Sequence, residues 1–368
     1  MKRRSKNTRI VKKQPNSTEQ VTRKLFGEIR SLIEISRSQV VQAVNSTLVM
    51  LYWQIGTRIR KNILGEERAE YGKKIVSSLS KQLVAAYGSG FSEKSLRRMV
   101  QFAEVFPNHK NVASLMRQLS WTHFLELIPI KDDLQREFYA EMCRVERWNV
   151  RTLREKISSM LYERTAISKK PEKLIKQELK SLRNESKPTP DLVFRDPYVL
   201  DFLGLKNTYS EKDLEATILR EMESFLLELG VGFSFIARQK RIMVDSEDYY
   251  LDLLFFHRPL RRLIAIDVKL DKFKAADKGQ MELYFRWLEK HEMQPGEEPP
   301  IGLILCAGKS SEQVELLQLH KSGIRVAEYM TELPPRKLLE KKLHQAIIAA
   351  WEQLARHAKT EKKTNLLR

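Results

Sequence analysis

Asp252 stands inside the apolar run YYLDLLFF, and Asp267 and Lys269 stand two residues apart inside LIAIDVKL. Both runs have the length and composition of buried β-strands. A strand alternates its side chains, so Asp267 and Lys269 share one face while Ile264, Ile266, Val268 and Leu270 take the other. A carboxylate in such a place is costly and persists only when paired, hydrogen-bonded or bound to a metal. The short connection through HRPLRR makes the two strands neighbours, which brings Asp252 and Asp267 together. Two carboxylates ~4 Å apart repel by about 4 kcal/mol at an effective dielectric of ~20. A dication removes that penalty, and Lys269 neutralises part of it without one. Oxygen donors with no Cys or His cluster beside them point to a hard ion, Mg²⁺ or Mn²⁺. The competing arrangement is a buried Asp–Lys ion pair in which Asp252 accepts backbone hydrogen bonds.

The elements that must position these groups follow from the pattern around them. Ser210 caps a helix through LEATILREMESFLLELG, with Leu214, Ile218, Met222, Phe225 and Leu229 on one face and Gly230 at its end. Strands are expected at 233–238, 240–244, 249–256, 263–270 and 301–306, with a helix from about 277 to 291 and a basic helical tail from about 335. The order is helix, three strands, helix, strand. From about 19 to 183 apolar residues recur three and four apart, as in Leu25, Ile29, Leu32 and Ile33, and that half reads as all helical. Closely spaced Pro188, Pro190 and Pro197 mark the boundary between the halves. Within GFSEKSLRRMVQFAEVFP, Ser92 caps a helix whose buried face is Leu96, Met99, Val100 and Ala103 and which Pro107 ends. Arg97 and Arg98 project elsewhere. Two readings stay open there: the second helix of a helix-turn-helix with those arginines on phosphates, or an ordinary bundle helix with a solvated basic face.

Composition narrows the partners. The 368 residues hold 66 Lys and Arg against 47 Asp and Glu, a formal charge of +19, which favours a polyanionic partner such as nucleic acid. Cys143 and Cys306 stand far apart, without the spacing of a disulfide framework or zinc site, and a reducing cytoplasm is expected. The basic start, with Lys2, Arg3 and Arg4, is followed by polar residues and is no secretory signal. The uncharged stretch 38–57 carries Gln39, Gln42, Asn45 and Gln54 and reads as a core helix, so no membrane partner is expected. There is no G-x-x-x-x-G-K-[ST] loop, H-E-x-x-H or G-x-S-x-G. His257 reads as a surface or strand-end residue, and Trp53, Trp121 and Trp148 read as core.

Asp252 followed by Asp267-Val268-Lys269, on that order of elements, resembles the PD-(D/E)XK nuclease superfamily. The longer runs FLLELGVGFSFIARQKRI, YLDLLFFHRPLRRLIAIDVKL, KGQMELYF and PPIGLILC resemble its YhcG-like bacterial family, and YGSGFSEKSLRRM, LSWTHFLELI and REFYAEMCRVERWNVRTLREKI resemble that family's helical N-terminal domain. The likeness covers most of the chain and departs at Asp267, where Glu is more usual. It implies a helical, helix-turn-helix-like domain followed by a restriction-endonuclease-like α/β core with a mixed central sheet. The expected divisions are a basic disordered arm (1–18), a helical DNA-binding domain (19–184), a linker (185–209), the nuclease domain (210–335) and a basic C-terminal helix and tail (336–368). The implied activity is Mg²⁺-dependent cleavage of DNA, with Mn²⁺ as a substitute ion and a homodimer as an open arrangement. A catalytically silent nucleic-acid-binding or assembly protein is the alternative.

By the same resemblance Asp252 and Asp267 are metal ligands, and Lys269 positions or activates water and stabilises charge at phosphorus. Glu215 is the candidate acid of the first core helix, with Glu221 and Glu223 as alternatives. Gln280 and Tyr284 are expected to hold Lys269 or a DNA phosphate, against a partly exposed Gln above a core Tyr. Gln239 is a further supporting candidate. Arg97, Arg98, Lys2, Arg3 and Arg4 are the expected nucleic-acid contacts.

Overall fold

The computed structural model describes residues 17–64, 69–204, 210–331, 337–341, 343–345, 347 and 348. The chain divides into two compact units after Ile128. Lys2, Arg3 and Arg4, with most of the C-terminal tail, lie outside the described residues.

The first unit is helical: α1 (Ser17–Leu64), α2 (Ala69–Tyr87), α3 (Glu93–Val105), α4 (His109–Leu115) and α5 (Trp121–Leu127). Its core gathers Leu96, Met99, Phe102, Phe106 and Phe124, with the ring of Phe102 set edge-on to Trp121 at 5.4 Å. Leu96, Met99 and Ala103 are buried as the spacing predicts, and Asn108 caps α4 by accepting from Lys110 and Asn111 amides. The crossing of α1 over α3 depends on Gly56, because a Cβ there would lie 1.8 Å from the Met99 carbonyl oxygen. The helix that the spacing of Leu25, Ile29, Leu32 and Ile33 predicts is present, but the reading of 38–57 as a core helix is overturned. Leu25, Ile29, Leu32 and Ile33 are exposed, and of the stretch 38–57 only Val49 and Gly56 are buried. The periodicity found a helix face correctly but could not say that the rest of its unit meets a different part of the helix.

The second unit starts with α6 (Asp133–Glu146), α7 (Val150–Ser158), α8 (Leu161–Arg164), α9 (Glu172–Glu185) and α10 (Pro190–Val193), followed by β1 (Tyr198–Val199). After these come α11 (Glu211–Arg220), α12 (Met222–Leu229), β2 (Phe233–Val244), β3 (Glu247–His257), β4 (Arg262–Val268), α13 (Ala275–His291), β5 (Ile301–Cys306), α14 (Ser311–Leu316) and β6 (Ile324–Met330). The six strands form one mixed sheet in the order β1-β6-β5-β4-β3-β2. Strands β2, β3 and β4 pair antiparallel, whereas β4 with β5, β5 with β6, and β6 with β1 pair parallel. On one face Leu214, Ile218, Phe225 and Leu229 pack against Leu253, Phe255, Ile264 and Ile266. On the other, Met281, Tyr284, Phe285 and Leu288 pack against Leu254, Leu263, Ala265 and Ile304. Among the described residues no helix is long and apolar enough to cross a membrane.

Of the linker expected at 185–209, residues 205–209 lie outside the described residues, and the described part, 185–204, is packed against the second unit. Phe194, Tyr198 and Leu200 are buried, and β1 extends the sheet beside β6. Asp196 lies 2.6 Å from both Lys169 and Lys309 and accepts the Glu328 amide at 3.1 Å. Burial opposes its ionisation, but the two ammonium groups outweigh burial and hold the carboxyl well below the usual carboxylate range. Glu228 on α12 pairs with Arg164 and lies 3.0 Å from Arg195, and Arg325 on β6 lies 2.9 Å from Asp191. These partly buried pairs join residues 164–196 to the sheet, so the prolines that read as a boundary lie among elements of one unit instead, Pro190 opening α10. Strands β1 and β6 were also missed, and the two segments expected at 233–244 form the single strand β2, bulged near Ile236.

His257 ends β3 but is fully buried, which corrects its reading as a surface residue. Its Nδ1 accepts the Leu260 amide at 3.2 Å, and burial pushes its pKa down to about 4. Because the unfolded chain protonates near pH ~6.5, stability is complete above that value and falls by up to about 3 kcal/mol as pH drops towards 4. Urea denaturation across this range, compared with His257→Asn, is expected to show that extra pH dependence only in the parent. A second expectation concerns Gly56→Ala, which should destabilise the first unit by about 1–3 kcal/mol or more through the α1–α3 clash, read as a lowered thermal midpoint.

Candidate active site

The β3–β4 ladder runs from His257 opposite Arg262 to Leu253 opposite Ile266 and there stops. Beyond that point β4 continues to pair with β5 as far as Val268 opposite Leu305, and the Lys269 amide donates to the Leu305 carbonyl at 2.7 Å. Asp252 takes up the place the ladder vacates. Its Oδ2 accepts the Val268 amide at 2.8 Å, so the carboxylate itself bridges the parting strands.

Asp267 is 3% exposed, and Lys269 Nζ lies 2.9 Å from its Oδ2. The Asp252 and Asp267 carboxyls act on one another across the site. Burial and the neighbouring Asp252 charge push the Asp267 pKa up to about 6, against the opposing pull of Lys269. Asp252 is raised as well, chiefly by burial. For Lys269, burial acts against the charged form but the two carboxylates outweigh it, so its pKa rises and it remains an ammonium at neutral pH.

The acid of the first core helix reaches this pair through an intermediary. The Ser210–Asp213 capping box starts α11, and Leu214, Thr217 and Ile218 turn into the core, which leaves Glu215 at the edge of the buried stripe. The Gln239 Nε2 donates to Glu215 Oε2 at 2.8 Å and to Asp252 Oδ1 at 3.0 Å. Gln239 sits in mid-strand with φ of 44°, a left-handed conformation that only a surrounding structure can impose on such a residue. Of the three helical glutamates, Glu215 is the one so joined to the aspartates. Glu221 lies at the α11–α12 junction, and Glu223 is exposed in the first turn of α12. Sequence reasoning missed Glu211, whose Oε1 accepts the Leu270 amide at 3.2 Å and ties the start of α11 to the end of β4. Its only sequence signal is an acid in a first helical turn.

Gln280 and Tyr284 share a face of α13, as their spacing requires, and Gln280 Nε2 donates to the Tyr284 hydroxyl at 2.6 Å. The hydroxyl in turn donates to the Tyr250 carbonyl at 3.0 Å. The pair thus fastens α13 to β3 two residues before Asp252, and the hydrogen bonds go there and not to Lys269. Arg97 and Arg98 lie in the first unit, on α3. Arg97 is paired with Glu93 at 2.5 Å on the surface, a contact too weakly held to keep it from a phosphate, and Arg98 is exposed.

Among the described residues no three His, Cys, Asp or Glu side chains come together to hold a metal ion. Asp252 and Asp267 nevertheless suit a hard dication. They are oxygen donors whose charges act on one another, and Mg²⁺ commonly takes one or two carboxylates while keeping several waters. Asp252, Asp267 and Lys269 are therefore brought together, with the Asp–Lys ion pair and the backbone hydrogen bond to Asp252 of the competing arrangement both present, and Glu215 stands one amide away.

Residues 28–164 match the family model described as the DUF1016 N-terminal domain, and residues 191–344 match that of the YhcG PDDEXK nuclease domain. The YhcG protein of Escherichia coli (strain K12) is 34% identical over 343 residues, 85% of this chain and 91% of that one. Among solved structures, a repair endonuclease from Pyrococcus abyssi shares 18% identity over 36% of this chain and 50% of its own, with a TM-score of 0.25. EndoMS in a complex with dsDNA shares 16% over 35% of this chain and 48% of its own, with a TM-score of 0.27. The chain spans about half the length of these two structures, and the superpositions are loose.

Removing the Asp252 charge by Asp252→Asn is expected to move the Asp267 pKa down from about 6. Carboxyl carbon titration by NMR in the absence of divalent ions reads this directly, and an unmoved Asp267 would mean that the two groups do not interact.

Proposed function

The chain belongs to the YhcG family of PD-(D/E)XK nucleases, and from that premise we propose that it is a Mg²⁺-dependent endonuclease that hydrolyses phosphodiester bonds in DNA, with Mn²⁺ able to substitute, and that it works in the cytoplasm. The observation that carries the reading is the convergence of Asp252, Asp267 and Lys269 where β3 leaves β4.

A dication held by the Asp252 and Asp267 carboxylates would supply charge for the phosphoryl oxygens and acidity for the attacking water. The other duties fall to the chain. Before a cation binds, two carboxylates hold Lys269 as an ammonium, which suits it to stabilise negative charge at phosphorus. Gln239 holds the Asp252 carboxylate on one side while the Val268 amide holds it on the other, which fixes its two oxygens before any ligand arrives. Tyr284 and Gln280 keep α13 seated on β3 behind the site. The formal charge of +19 supports a polyanionic substrate, for which the helical domain with Arg97 and Arg98 and the basic arm with Lys2, Arg3 and Arg4 are the proposed contacts.

Incubation with Mg²⁺ across linear, supercoiled, branched and single-stranded DNA, and RNA, is expected to give cleavage of a DNA form. Asp252→Ala and Lys269→Ala should each lower the rate by about 10²–10³-fold or more, the size of effect known for removal of one group stabilising transition-state charge. DNA binding by Lys269→Ala should persist. Binding without cleavage of any substrate by the parent protein defeats the proposal. Proton and cation compete for the same carboxylates, so the Mg²⁺ concentration for half-maximal cleavage should rise as pH falls through about 6. A requirement that stays flat between pH 7 and 5 would remove Asp267 from the ligand set.

A further inference from the structure

Helix α1 begins with a long segment that its own unit leaves bare. Every residue from Lys24 to Val44 is exposed, including Phe26 at 65%, Leu32 at 64% and Val40 at 64%. That segment is ~32 Å of helix at ~1.5 Å per residue. Most helices in proteins owe their stability to packing of one face. The exposed face is regular. Phe26, Ile29, Ile33, Ser36, Val40, Ala43, Thr47 and Met50 alternate at spacings of four and three, the 3.5-residue repeat of a coiled-coil seam. Leu25 and Leu32 flank the seam on one side, Val44 and Leu51 on the other, and Lys24, Glu28 and Glu34 lie outside it.

We propose that two copies of the chain pair in parallel through this face of α1. A 3.5-residue seam is completed by a second helix with the same repeat, and a second copy supplies one in register. Counting roughly 100 Å² for each of the seven large apolar residues of the seam and its flanks, Leu25, Phe26, Ile29, Leu32, Ile33, Val40 and Val44, each helix hides about 700 Å², close to the ~800 Å² per partner of a standard specific interface. The charge pattern selects the direction. Arg30 and Arg37 occupy the flanking positions on the Val44 side. In a parallel pair they lie against Leu25 and Leu32 of the other copy and cover them with their aliphatic stems. In an antiparallel pair centred on the exposed stretch, Arg30 and Arg37 of opposite copies face each other, and like charges repel. The pairing is independent of the chemistry at Asp252 and Asp267, and a dimer carries two copies of that site.

Sedimentation equilibrium of the full chain at micromolar concentration tests the pairing, with a dimer as the expected mass. The double variant Ile33→Glu, Val40→Glu should raise the dissociation constant at least ~100-fold while circular dichroism still shows a helical protein with cooperative melting. Glu34→Lys, outside the seam, should leave the dimer intact. Val40→Cys should yield a covalent dimer on mild oxidation, since the two native cysteines, Cys143 and Cys306, are buried. A monomeric parent, or a dimer indifferent to the double variant, overturns the proposal. A dimer in which Val40→Cys does not cross-link overturns the parallel arrangement.

Discussion

Two carboxyls and an ammonium meet where one strand of a sheet leaves its neighbour, and the architecture of the second unit serves to keep them there. Asp252 replaces a missing rung of the β3–β4 ladder by accepting the Val268 amide, and Asp267 and Lys269 sit on the strand it bridges to. The carboxyls repel when both are ionised, and burial removes the water that would weaken the repulsion. The Lys269 charge relieves part of the repulsion in the absence of a cation. The part that remains makes the site a receptive place for one.

The supports around this cluster lie at three different distances in sequence. Gln239 comes from the neighbouring strand, in a left-handed backbone conformation, and reaches both Asp252 and Glu215. Glu211 anchors the start of α11 at Leu270, just beyond Lys269. Tyr284 anchors α13 at Tyr250, just before Asp252. The last two contacts tie the helices on either face of the sheet to backbone beside the charged residues. This is the kind of support that fixes rotamers before a ligand binds. The helices α6–α10 contribute more remotely, through the pairs of Asp191, Asp196 and Glu228 that hold them to β6, to Lys309 and to α12.

The sequence by itself determined the strands that carry Asp252 and Asp267, the shared face of Asp267 and Lys269, the Ser210 cap and the buried stripe of α3, because alternation, capping and helical spacing are local properties of a chain. It also carried enough family text for the nuclease domain to be legible. It left undecided which glutamate stands near the aspartates, and it gave Tyr284 a duty toward Lys269 where the hydroxyl binds the Tyr250 carbonyl. Only the tertiary structure decided these points, together with the burial of His257, the fusion of residues 129–204 with the sheet and the bareness of the α1 face. The physical reason is common to all of them. A period states which residues share a face, whereas burial, pairing and pKa depend on what another part of the chain, distant in sequence, brings against that face.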